Sequence, residues 1–213
     1  MPIRLALLVM IGLLAGCSSV YYDTMEKFGF AKREILVDRV GEARESQEEA
    51  KEQFANALEK FIAITRVDTG DLKARYDQLN REFLRSEERA GEVRERIASV
   101  EDVSDALFSE WKKELRQYSD AQLRRQSERQ LDETRRRYDE LISTMKGAAA
   151  RMDPILAKFR DQVLFLKHNL NAQAIAGLGS TSQVLQADIS RLIADMEHSI
   201  READEFIRSM KTS

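Results

Sequence analysis

The sequence predicts an all-α fold: an elongated helical bundle built from antiparallel coiled-coil hairpins. Three observations lead there. Turn-forming clusters are almost absent, with two prolines in 213 residues, Pro2 and Pro154, whereas a compact sheet protein needs many turns rich in Gly, Pro, Asn and Asp. Charged residues make up 33% of the chain and aromatic residues 7%, a balance suited to long solvated helices. Apolar residues then recur in alternating steps of three and four, the period of one helix face.

From Leu36 that repeat runs through Val40, Ala43, Gln47, Ala50, Phe54, Ala57, Phe61 and Ile64. Arg66 to Gly70 interrupts it, and Asp68, Thr69 and Asp71 are good helix starters. A second repeat follows, through Leu72, Tyr76, Leu79, Phe83, Ser86, Ala90, Val93, Ile97 and Val100. Two such helices with a short joint read as an antiparallel hairpin. Val103 to Leu115 is expected as a separate, shorter helix carrying Phe108 and Trp111.

Ser119 and Gln122 form an S-x-x-Q capping box that should open the longest helix. Its face is Tyr138, Leu141, Met145, Ala148, Met152, Ile155, Phe159, Leu166, Asn169 and Gln173. Unbroken from Ser119 to Ala176, it would measure roughly 85 Å at the α-helical rise. Pro154 removes one backbone hydrogen bond and predicts a kink, while Gly177 and Gly179 are expected to end the helix. The last helix carries Leu185, Ile189, Leu192, Met196, Ala203, Phe206 and Met210, flanked by Ile193, Ile200 and Ile207. Three apolar columns exceed a two-stranded seam and suit three or four packed helices.

The first residues read differently. Arg4 precedes an apolar run from Leu5 to Leu14, too short for the roughly 20 residues a spanning helix needs. A basic start, a short apolar stretch and small residues before a cut make a secretory signal. Leu14, Ala15 and Gly16 stand directly before Cys17, the one cysteine of the chain, in the pattern of a bacterial lipobox. The expectation is a signal peptide over 1–16, lipid on Cys17, an anchor and linker over 17–30 and a helical domain over 31–213. The bland alternative is a coincidental cysteine in an ordinary signal. Ser18, where Asp would favour inner-membrane retention, points to the outer membrane, facing the periplasm. Tyr21, Tyr22, Phe28 and Phe30 suit either the membrane boundary or a first packed turn of the bundle.

Net charge is −3, and loss of Arg4 makes it more negative, so composition offers no footprint for nucleic acid. No phosphate-binding loop, G-x-S-x-G or H-E-x-x-H occurs. With two histidines, His168 and His198, and no free cysteine, neither a metal centre nor a cofactor is expected.

Three groups of residues are nevertheless candidates. Gln47, Asn169 and Gln173 fall at core phase and could form a buried polar layer that sets helix register. Around residues 163–178 the helix is apolar nearly all round, so Leu164, Phe165, His168, Asn171 and Ile175 form a back face. That face is covered either by Phe108 and Trp111 or by a partner or second copy. Residues 112–137 hold nine Lys or Arg against five acids. Arg124, Arg125, Arg129, Arg135, Arg136 and Arg137 could bind an anionic lipid or polymer, or more simply pair with the acidic stretch 82–105.

Three stretches resemble an uncharacterised family of bacterial lipoproteins known as a domain of unknown function. They are Lys32-Arg33-Glu34-Ile35-Leu36-Val37-Asp38-Arg39-Val40, the run from Val163 to Ala174 that includes Lys167-His168-Asn169-Leu170-Asn171, and Ser199-Ile200-Arg201-Glu202-Ala203-Asp204. The resemblance implies a lipid-anchored, coiled-coil-rich envelope protein and carries no activity. The expected function is a non-enzymatic interaction or scaffold module, held to the membrane through Cys17 and docking a protein partner or itself. A lipid-binding or membrane-remodelling bundle is the alternative, and an enzyme a remote one.

Overall fold

The computed structural model describes residues 32–65, 71–169 and 172–212. Among them lie four long helices, α1 (Lys32–Thr65), α2 (Leu72–Glu114), α3 (Ala121–His168) and α4 (Ala172–Thr212), with a 3-10 turn at Leu115–Gln117. Residues 1–31, with the lipobox-like Leu14-Ala15-Gly16-Cys17 and the aromatic cluster, and the joint 66–70 lie outside the described residues.

Each helix packs against its sequence neighbour, and α1 closes the ring against α4. Side-chain pairs show the directions. Lys32 at the start of α1 meets Glu110 near the end of α2 at 3.0 Å. Glu101 on α2 meets Lys146 on α3 at 2.8 Å, Lys158 pairs with Asp188 on α4, and Arg44 meets Asp204 at 2.8 Å. The result is an up-down-up-down four-helix bundle, the topology that short loops between long amphipathic helices allow.

The heptad-like repeats form the core. All nine α1 positions from Leu36 to Ile64 are buried, Gln47 included. In α2, Leu79, Phe83, Ser86, Ala90, Val93, Ile97 and Val100 are buried. Phe159 from α3 reaches between Phe61 of α1 and Phe83 of α2, with ring centroids 5.9 Å away in both cases and edge-to-face geometry. Asp71 caps α2, its carboxylate accepting from the Lys73 and Ala74 N–H groups at 2.9 and 3.2 Å.

Three sequence-based boundaries change. Val103 to Leu115 is no separate helix: α2 runs on to Glu114, because Val103, Leu107 and Phe108 continue the Val100 seam without a break in phase. The capping box of Ser119 and Gln122 does not form. Asp120 is the N-cap of α3 instead, accepting from the Gln122 and Leu123 N–H groups at 2.6 and 3.1 Å, and its negative charge suits the positive end of the helix. The third boundary is the reversal between the last two helices. α3 ends at His168, not Ala176, and spans about 72 Å at the α-helical rise. Asn169 leaves the helical region at φ −129°, ψ 57°, and its side-chain amide donates at 3.0 Å to the Phe165 carbonyl, which also accepts the Asn169 backbone N–H at 3.1 Å, so one residue closes the helix end with two donors. Gly177 and Gly179 lie inside α4. Glycine costs a helix about 1 kcal/mol, and packing of Leu178 and Leu185, both buried, offsets it. Pro154 is accommodated within α3, where Met152, Ile155 and Leu156 keep the core phase on both sides.

Glu82 is a buried carboxylate in this core, 3% exposed, taking hydrogen bonds from Lys60 at 2.7 Å and Gln53 at 3.0 Å with Arg85 at 3.3 Å. Burial pushes its carboxyl up, but hydrogen bonds from Lys60 and Gln53 and the charges of Lys60 and Arg85 outweigh it, and the balance lies below the ordinary value. The depressed carboxyl stabilises the fold fully above the unfolded glutamate pKa of about 4.3. That contribution disappears as pH falls through the lower folded value. Glu82→Gln should therefore flatten the acid limb of a urea-midpoint-against-pH curve. An unchanged limb would show that the Glu82 charge is not what the fold loses in acid.

Candidate functional site

The polar layer exists, with a different membership. Gln47 is fully buried, and its side-chain amide donates to the Met145 carbonyl of α3 at 3.4 Å. Ser199 of α4, equally buried, donates its hydroxyl to the Gln47 Oε1 at 2.9 Å. One amide thus joins three helices at mid-bundle. Asn169 is exposed and does not belong to the layer, because the chain leaves the helix there. The side chain of Gln173 lies outside the described residues. Ser199 was legible in the sequence: it continues the step from Met196 to Ala203. Glu82 was legible too, since it falls between Leu79 and Phe83 at core spacing.

The back face of α3 is open. Leu164 and Phe165, next to each other in the last turn but one of α3, are both 47% exposed, and His168 is exposed. Phe108 and Trp111 do not cover them. Phe108 stacks edge-on against Tyr138, with ring centroids 5.5 Å apart, and the Trp111 Nε1–H donates to the Ser127 hydroxyl at 2.8 Å, both toward the opposite end of the bundle. Covering Leu164 would have required a helix over 103–115 free to turn back, and α2 is one continuous helix as far as Glu114. Leu84 and Val184, each about half exposed, lie in the same half of the molecule. The side chains of Asn171 and Ile175 lie outside the described residues.

The arginine cluster divides in three. Arg136 and Arg137 pair within α3, with Glu140 at 3.3 Å and with Glu133. They also line a groove shared with Glu202 and Glu205 of α4, so carboxylates already face them. Arg135 lies over the Phe108 ring at 5.5 Å. Arg124, Arg125 and Arg129 are exposed and form no ion pair among the described residues. The simple expectation, pairing of this cluster with the acidic stretch 82–105, fails because the antiparallel register sets that stretch against later residues of α3. Glu87 meets Arg160, Arg94 meets Asp153 and Glu101 meets Lys146.

Neither histidine forms a metal-type cluster: among the described residues no three His, Cys, Asp or Glu side chains gather in ligand geometry. His198 lies 3.8 Å from Glu202, one helical turn on. Among the described residues no helix is long and apolar enough to cross a membrane.

Comparison with known families matches the DUF2959 model, described as a protein of unknown function, over residues 21–210. The chain belongs to the DUF2959 family. The match runs from eleven residues before Lys32 to two residues before the end of α4, so it takes in all four helices of the bundle. No curated protein and no solved structure matches the chain.

Proposed function

We propose that this DUF2959 chain is a lipoprotein of the bacterial cell envelope, cut before Cys17 and facing the periplasm from the outer membrane. There it works as a non-enzymatic docking or scaffold module. The anchor reading rests on Leu14-Ala15-Gly16-Cys17 after a short apolar run and on Ser18 in place of Asp. Two or three acyl chains, at about 0.8 kcal/mol per buried methylene, hold such a protein lastingly.

The observation that carries the docking reading is the side-by-side exposure of Leu164 and Phe165. Ion pairs such as Arg44–Asp204, Arg89–Glu49 and Lys146–Glu101 bridge neighbouring helices on the outside, and core positions are filled by Phe, Leu and Met side chains from Leu36 to Met210. An exposed apolar pair against that background suits a protein partner or a second copy of the chain.

One experiment in living cells tests both parts. A photo-crosslinking residue replaces Leu164, in the otherwise native chain and in Cys17→Ser. The native chain should label with palmitate, fractionate with outer membrane and give a discrete crosslinked species. That species should vanish when Phe165→Glu is added to a still-folded protein. Cys17→Ser should lose the label and, after a high-salt wash, its outer-membrane fractionation. Retained palmitate in Cys17→Ser ends the anchor reading, and a crosslink indifferent to Phe165→Glu, or none at all, ends the docking reading.

A further inference from the structure

Among the described residues, the hairpin between α2 and α3 is longer than the bundle that supports it. Lys32, the first residue of α1, lies level with Glu110 of α2, and Met210 near the end of α4 accepts a hydrogen bond from Arg33. Beyond that level α2 continues to Glu114, turns at Leu115–Gln117 and returns as α3. At helical rise the tip projects about 12 Å past the start of α1. Every residue from Arg116 to Gln126 is exposed. Phe108 against Tyr138 and Trp111 against Ser127 brace the base of this tip, so it is a fixed projection.

Its chemistry differs from that of the rest of the molecule. Residues 112–129 contain six cations, Lys112, Lys113, Arg116, Arg124, Arg125 and Arg129, against three carboxylates. None of the six is ion-paired among the described residues. Asp120, one of the three acids, is engaged by the α3 backbone. Tyr118 and Leu123 sit among the cations, 42% and 52% exposed. The whole chain is acidic at −3, so the remainder of the bundle is more negative than the total. An anionic surface therefore attracts this tip and repels the rest.

The tip also points where the chain comes from. α1 begins at the tip end of the bundle, and fourteen residues, 18–31, separate Lys32 from Cys17. Fourteen residues reach at most about 50 Å, so a lipid on Cys17 keeps the projecting tip within reach of the bilayer that holds the anchor. We propose that the α2–α3 tip is a second membrane contact. Its six cations engage anionic phospholipid headgroups, Tyr118 and Leu123 enter the interface, and the bundle stands with Leu164 and Phe165 toward the far end. This orientation rests on the anchor proposed above. The contact itself does not, and the two can fail separately.

The test uses the chain from residue 17 onward with Cys17→Ser, so that no lipid holds it. It is mixed with vesicles of phosphatidylcholine alone or of phosphatidylcholine with phosphatidylglycerol. Binding is read by co-sedimentation and by the emission of Trp111, the one tryptophan of the chain, at the base of the tip. The protein should bind the anionic vesicles, weaken as salt is raised, and bind neutral vesicles poorly. Arg124→Gln with Arg125→Gln and Arg129→Gln should reduce the partition at least about tenfold, with an unchanged melting curve because all three are exposed. Tyr118→Ser with Leu123→Ser should weaken binding while leaving its salt dependence unchanged. The charge-matched control Arg81→Gln, Lys167→Gln, Arg201→Gln removes three exposed cations outside the tip and should bind as the parent does. No binding to anionic vesicles, or equal loss in the control, overturns the proposal. So does a tip that prefers a soluble anionic polymer over the vesicle. Palmitate labelling of the native chain decides the anchor independently.

Discussion

Phe159→Ala should lower the stability of the bundle by about 3–5 kcal/mol, the range for removing a large aromatic from a packed core. The ring is 2% exposed and is wedged edge-to-face between Phe61 and Phe83, so three of the four helices lose contact at once. Long helices already fixed along their whole length cannot close on a void at one level. Pro154, five residues before, also leaves α3 one hydrogen bond short nearby. In a domain of this size each kcal/mol moves Tm by about 2–4 °C, which implies a drop of roughly 6–20 °C. Thermal melts followed by circular dichroism give the value. A drop below a few degrees would mean that Phe61 and Phe83 close the gap, and that the aromatic layer contributes less than its geometry implies.

The second large effect belongs to the buried amide. Ser199→Ala leaves the Gln47 Oε1 without its donor in a dry core, which should cost about 1–3 kcal/mol. Gln47→Leu with Ser199→Ala removes both polar partners, and an apolar pair of similar shape should be neutral or stabilising in the same melt. What the double variant should lose is uniqueness. Seams of Leu, Ala, Val and Ile slide past one another at low cost, and a polar group that is satisfied in one register alone penalises the others. The expected signature is a raised melting temperature with broadened amide resonances or more than one assembled species. A double variant as uniquely folded as the parent would show that the Phe61–Phe83–Phe159 layer sets register without help from the amide.

The same residues show how far the sequence reaches. Every apolar position assigned to the first repeat, Leu36 to Ile64, is buried, because a solvated helix can hide one stripe alone and the three-four period marks it. The all-α class and the bundle follow from that period and from the scarcity of turns. Cys17 and the residues before it are legible at the level of motif, and the motif depends on chain order with no need of folding.

Local signals failed where two of them competed. Gly177 and Gly179 looked like a helix end and Asn169 like a core residue, and the chain does the reverse. Asn169 can close a helix with its own side-chain amide, and packing around Leu178 overrides the glycine penalty. Neither balance is visible in propensities. The charge surplus at 112–137 was visible, but its partners were not. The register of α2 against α3 pairs Glu87 with Arg160 and Glu101 with Lys146, sets Arg94 of α2 against Asp153 of α3, and leaves Arg124, Arg125 and Arg129 without an ion pair among the described residues. The openness of Leu164 and Phe165 depends likewise on α2 continuing without a break to Glu114. Periodicity along one helix determines which side chains need burial. Which helix, at which level, supplies the cover or the counter-charge is a relation between residues as far as 177 apart in the chain, and packing alone decides it.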